Sequence, residues 1–288
     1  MSVEKLQEKV RKLKNPSVID FTAIPAQIPP HLLDQEGSEV KAYGRFCREL
    51  LAALKGIVPA ARFSYSWFGL YGDEGIALLK EILREAKDMG FYVMLDCPEA
   101  LSLAVAEFTA HTLCQLPCDG MIVSAYIGSD ALTPYVDQLK TAGKSLFVVL
   151  RTGNKTAQQL QDLMTGSRLM HMAAADTVKR LGESLVGRSG YSQVAGVGAA
   201  NSADSVRGLR NKYKNMFLLL EGYDYPNANA KNCSFAFDKL GHGAVACAGT
   251  GVTAAWISDD TDGTTYTDCA VQAAERMRKN LTRYITIL

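Results

Sequence analysis

Short β-rich segments recur along this chain at 17–21, 60–64, 91–95, 119–123, 145–149, 192–197, 216–220 and 243–247. Longer amphipathic stretches accompany them, at 39–55, 73–89, 98–116, 131–143, 157–185, 202–213, 230–240 and 266–285. The stretch that opens Asp73-Glu74-Gly75-Ile76-Ala77-Leu78-Leu79 repeats apolar residues at helical spacing, as a helix docked by one face requires. Phe147-Val148-Val149-Leu150 and Met216-Phe217-Leu218-Leu219-Leu220 are unbroken apolar runs, the pattern of parallel strands covered on both faces. Roughly eight alternating units predict an α/β fold, a (β/α)8 TIM barrel. An open doubly wound sheet would favour a Gly-x-Gly-x-x-Gly turn after its first strand. Here that strand runs into Thr22-Ala23-Ile24-Pro25, so the barrel is preferred. With no abrupt shift in composition, 1–288 reads as one barrel domain behind an N-terminal helix at 3–14, and the Pro-rich 25–30 segment as a loop.

Composition narrows the function classes. A formal net charge of +1 supplies no global field for nucleic acid or an anionic membrane. The longest apolar runs are too short to span a bilayer, and the charged first helix is unlike a signal peptide. Seven cysteines without framework spacing suggest reduced thiols and a cytoplasmic protein. Cys114 and Cys118 have helical spacing but no second ligand pair, so they read as small apolar residues and no metal is expected.

In a barrel, the residues just past each strand converge on one mouth. These are Phe21/Thr22, Arg62/Ser64, Asp96, Ser124/Tyr126, Arg151/Thr152/Asn154, Gly198/Ala199, Glu221/Gly222/Asp224 and Gly249/Thr250. Arg62, Asp96, Arg151, Glu221 and Asp224 would form a mixed-charge cup for a polar ligand, unless they merely pair with one another and cap helices.

Several tracts carry a resemblance. Asp96-Cys97-Pro98-Glu99-Ala100-Leu101 ends the third strand; Ala61-Arg62-Phe63-Ser64 and Trp67-Phe68-Gly69-Leu70-Tyr71-Gly72 lie at the second. Ser124-Ala125-Tyr126-Ile127-Gly128, Leu150-Arg151-Thr152-Gly153-Asn154, Val197-Gly198-Ala199 and Phe237-Asp238-Lys239-Leu240-Gly241-His242-Gly243-Ala244 follow in order. Together they resemble the orotidine 5'-monophosphate decarboxylase family in its longer bacterial subfamily, along nearly the whole chain. The resemblance implies a ribulose-phosphate-binding type of barrel, a cofactor-independent lyase of pyrimidine biosynthesis, and a homodimer with facing mouths.

The departures fall on the chemistry. The family's strand-three motif is Asp-x-Lys-x-x-Asp, and this chain has Asp96, Pro98 and Leu101 in that register. The family's Lys-Asp-Lys-Asp array thus becomes Arg62-Asp96-Pro98-Leu101, a degenerate motif in which only Arg62 and Asp96 remain as catalytic candidates. Proline can neither deliver a proton nor stabilise a carbanion, and arginine is a poor general acid near neutral pH. Ser64 falls on a family glutamine and Gly69 on a glutamate. The phosphate loop becomes Glu221-Gly222-Tyr223-Asp224-Tyr225-Pro226-Asn227-Ala228, and the phosphate Arg-Gly pair becomes Thr250-Gly251. Both changes oppose a bound dianion. Anchoring the register on Pro25 puts Thr22 at the strand-one substrate position; a gapped register puts Asp20 there.

The remaining candidates carry less chemistry. Asp259-Asp260-Thr261-Asp262-Gly263 lacks the distal glutamate of a calcium loop and reads as a turn, with a capping box from Thr265 to Asp268. Cys97 stands at the mouth without a readable histidine partner, and His242 falls at the opposite end. The expected function is an orotidine 5'-phosphate decarboxylase-like protein that has lost canonical decarboxylation. It would bind a small polar metabolite, or a partner such as an intact decarboxylase, without a cofactor. The expected ligand-binding residues are Ser64, Ser124, Tyr126, Arg151, Thr152, Asn154, Asp224, Gly249 and Thr250. A lyase of altered chemistry, or an inefficient decarboxylase using Lys155, are the alternatives.

Overall fold

A computed structural model describes residues 2–288. Eight parallel strands close into a barrel: β1 Ser17–Asp20, β2 Ala60–Ser64, β3 Tyr92–Asp96, β4 Gly120–Ser124, β5 Ser145–Val149, β6 Val194–Ala199, β7 Leu218–Glu221 and β8 Ala244–Ala248. Each strand pairs with its sequence neighbours, and β1 pairs with β8 to close the ring, Ser17 opposite Ala246. The expected segments are these strands to within two residues at each end. The surrounding helices are α1 Ser2–Leu13, α2 Pro30–Glu36, α3 Glu39–Leu54, α4 Tyr65–Gly69, α5 Gly72–Asp88, α6 Leu103–Leu113 and α7 Ser129–Ala142. They continue as α8 Gln158–Gln161, α9 Met170–Gly182, α10 Ala203–Lys212, α11 Ala230–Ser234, α12 Thr250–Thr253, α13 Ala255–Ser258 and α14 Tyr266–Thr282.

Packing follows the sequence periodicity. The helix α5 buries Leu78, Leu79, Ile82, Leu83 and Ala86, one stripe of its surface. Phe63 of β2 stacks on Phe21 at 5.0 Å and meets Phe68 of α4 edge-on at 6.4 Å, while Phe68 lies 5.1 Å from Tyr43 of α3. This aromatic run locks the second strand to its covering helices. At the floor, α1 lies against the strand N-termini with Val3, Leu6 and Val10 buried. The Val3 N–H donates to Gln193 Oε1 (2.9 Å), and the Gly243 N–H donates to Gln7 Oε1 (3.0 Å).

Four expectations need correction. The helix after β3 begins at Leu103, not Pro98: Ser102 caps it by accepting the Val105 N–H at 3.3 Å, and 97–102 runs without helix. The stretch 157–185 is not one helix, because a two-residue hairpin (Met164–Thr165, Arg168–Leu169) turns at Gly166, whose φ of +64° suits glycine. The 25–30 segment holds a 3-10 turn, Pro25–Gln27, and supplies the first residue of α2. At Thr265 no side-chain cap forms; the turn before it is held instead by Asp262 Oδ1, which accepts from the Thr264 backbone and hydroxyl.

Candidate ligand site at the barrel mouth

The C-terminal ends of β1, β2, β3 and β7 bring four charged side chains to one point. Arg62 enters the barrel from β2 and meets Glu221 Oε1 at 2.8 Å, Asp96 Oδ2 at 2.7 Å and Asp20 Oδ2 at 3.5 Å. One guanidinium thus faces three carboxylates. Only 13% of the Arg62 side chain is exposed, and its Nε has no hydrogen-bond partner among the described residues. Burial alone would disfavour the Arg62 charge, but Glu221, Asp20 and Asp96 reverse the balance and hold its pKa well above the ordinary value. Burial pushes Asp96 and Glu221 upward, and Arg62 offsets only part of the rise. Asp20, not Thr22, reaches the cup floor; Thr22 braces it, donating its N–H (3.0 Å) and hydroxyl (2.8 Å) to Asp20 Oδ1.

The rim is held by local hydrogen bonds. Ser64 Oγ accepts the Trp67 N–H and Ser124 Oγ accepts the Tyr126 N–H, both at 3.3 Å. The Tyr126 hydroxyl donates to the Leu150 carbonyl. Thr152 Oγ1 donates to Asn154 Oδ1 (2.6 Å), and its N–H to Gln161 Oε1 (2.8 Å). Arg151 is committed elsewhere: Nε and Nη2 grip Asp162 at 3.0 and 2.8 Å, and Nη1 donates to the Thr152 carbonyl. That fork holds the Asp162 carboxyl below the usual carboxylate range. Arg151 therefore lies on the rim as half of an ion pair.

Beside β8, Asp224 Oδ2 of the β7 loop accepts the N–H groups of Gly249 (3.2 Å) and Gly251 (2.8 Å) in the turn after β8. The same loop lays the Tyr225 ring over Gly153, where an added Cβ would stand 2.7 Å from the ring. Asn201 Nδ2 secures that glycine through its carbonyl at 2.9 Å.

Sequence reasoning placed Arg62, Asp96, Glu221 and Asp224 at the mouth, and the structure brings the first three together around the guanidinium. It missed Asp162 and Gln161, which come from the irregular segment after β5, and Glu99 beside the cup. Burial and the neighbouring Asp96 raise the Glu99 carboxyl, with a hydrogen bond to Ser124 opposing them. Pro98 is half-buried, Leu101 is 88% exposed, and Lys155 is exposed with no ion pair among the described residues. Cys97 is buried, and burial pushes its thiol pKa well up, away from nucleophilic use. His242 sits before β8, at the floor.

No protein-family model matches the chain. Among curated proteins, the orotidine 5'-phosphate decarboxylase of Clostridium kluyveri is 27% identical over 285 residues, covering 98% of this chain and 97% of the relative. That of Clostridium acetobutylicum is 25% identical, covering 98% of this chain and 99% of the relative. Among solved structures, orotidine 5'-monophosphate decarboxylase from Plasmodium berghei superposes with a TM-score of 0.76 at 14% identity, covering 96% of this chain and 98% of the other. The Leishmania donovani OMP decarboxylase gives a TM-score of 0.69 at 20% identity, covering 96% and 98%. The barrel and the chain-long similarity agree. Among the described residues, no helix is long and apolar enough to cross a membrane.

Proposed function

We propose that this homologue of the orotidine 5'-phosphate decarboxylases has lost the family's decarboxylation and binds a small polar metabolite in the cup. The observation that carries the reading is the cup floor, where Arg62 is surrounded by Asp20, Asp96 and Glu221 and Pro98 contributes no cation. A guanidinium so held does not give up a proton near neutral pH, and an ammonium acid is missing from the register where the family carries one. The rim hydroxyls and amides of Ser64, Ser124, Thr152 and Asn154 suit a polar, hydrogen-bonding ligand better than a dianion. The raised Asp96 and Glu221 favour one second reading, a lyase of altered acid–base chemistry. The test is absorbance loss at the orotate band with purified protein and orotidine 5'-monophosphate. No enzyme-like turnover is expected, and Pro98→Lys alone should not restore it; robust turnover abolished by Asp96→Ala would refute the reading.

The same reading includes a two-fold dimer. Leu101, Leu103, Val105 and Phe108 at and along α6 are exposed, and an apolar face beside the mouth fits a covered interface. A second copy, or an intact decarboxylase, would cover it. Seven free, buried cysteines support residence in a reducing cytoplasm.

A further inference from the structure

At the opposite end of the barrel, a cleft of about 270 Å³ opens between α1 and the turns that follow α3 and α5. Lys9, Lys12 and Lys55 line it, Leu13, Val58 and Phe91 add apolar wall, and no carboxylate contributes. Lys9 Nζ donates to the Gly90 carbonyl at 2.6 Å. Lys12 and Lys55 are exposed and have no ion pair or side-chain hydrogen bond among the described residues. Glu8 and Asp88, the acids adjoining these segments in sequence, are not part of the lining.

Several cations elsewhere on the surface are already neutralised by acids. Arg45 is paired with Glu36 and Glu49, Arg48 with Glu81 and Glu85, and Arg168 and Lys212 share Asp176. Three lysines lining one small cleft with no carboxylate among them give it a positive potential, which a bound anion would offset. The apolar wall gives such an anion's body a place out of water, as in pockets where a few polar groups fix orientation. The glycines of the two turns, Gly56 (φ +77°) and Gly90 (φ +95°), leave the entrance clear of side chains.

We propose that this cleft binds a small organic anion, a carboxylate or a phosphate monoester carrying a short apolar body. It lies at the strand N-termini, about 15 Å from the mouth at the usual rise of a five-residue strand, so it stands or falls independently of the reading given above. Calorimetry of the full chain at low ionic strength, with phenyl phosphate, benzoate and inorganic phosphate as probes, tests it. At least one aromatic anion should bind with a Kd below about 1 mM, at least tenfold tighter than inorganic phosphate. Binding by phenyl phosphate alone or benzoate alone selects the headgroup. Salt should weaken it, and the double variant Lys12→Glu/Lys55→Glu, both sites being exposed, should lose at least tenfold while its circular dichroism is unchanged. Absence of heat from both aromatic probes at about 10 mM, inorganic phosphate binding as tightly as either, or affinity unaltered in the double variant overturns the proposal.

Discussion

Asp224 and Gly251 join the neighbouring loops after β7 and β8, the carboxylate Oδ2 accepting the glycine N–H at 2.8 Å. The same oxygen takes the Gly249 N–H at 3.2 Å, so a side chain of the protein already satisfies the amides that an incoming anion would seek. A phosphate placed there would meet Asp224, with Glu221 close by, and Thr250 supplies no cation. Uridine monophosphate should therefore bind no more tightly than uridine. Titration calorimetry decides this: a nucleotide preference of tenfold, about 1.4 kcal/mol, would show the site to be misread.

Assembly gives the second prediction. Leu101 and Phe108 are 88% and 70% exposed, so a two-fold dimer should cover them at micromolar concentration. Leu101→Asp with Phe108→Asp should shift the mass toward the monomer while leaving the helical signal intact. Light scattering that finds the unaltered chain monomeric removes the interface.

The cup also sets a pH dependence. In the unfolded chain Glu221 titrates near the ordinary glutamate value of about 4.3, whereas burial raises it in the fold. The folded state therefore holds the extra proton between those two values. The contribution is favourable below the unfolded pKa and is lost as pH rises through the folded one. Glu221→Gln removes that loss, so its melting temperature relative to the unaltered protein should be higher at pH 8 than at pH 4. Parallel melting curves across that range, by scanning calorimetry, would count against the assignment.

The 237–244 tract owes its glycines to packing at the floor. Gly243 has φ +86°, and a Cβ there would stand 2.4 Å from the Tyr191 ring, whose hydroxyl donates to Asp238 at 2.7 Å. Gly243→Ala should cost about 2 kcal/mol or more, through strain and overpacking together. Urea unfolding measures it, and a loss under about 0.5 kcal/mol would contradict the geometry.

Strand positions were legible because runs such as Phe217-Leu218-Leu219-Leu220 have few other uses in a chain of this kind. The start of α6 was misread because Pro98 suits a first helical turn, yet the chain stays non-helical until the Ser102 cap. Arg151 was placed at the mouth correctly, but its commitment was hidden. Its partner Asp162 lies eleven residues on, in a segment whose hairpin at Gly166 breaks the helical period. The Arg62 cluster joins residues from position 20 to position 221, a convergence that only barrel closure produces.

The Gln7–Gly243 hydrogen bond spans 236 positions, and β1 cannot complete its pairing until β8 exists. During synthesis the first strand therefore waits with one edge open, and α1 without its final anchor, until nearly the whole chain has been made. Contacts of such sequence separation make closure a late and slow event. Until then the unpaired edge of β1 is open to mispairing with other strands.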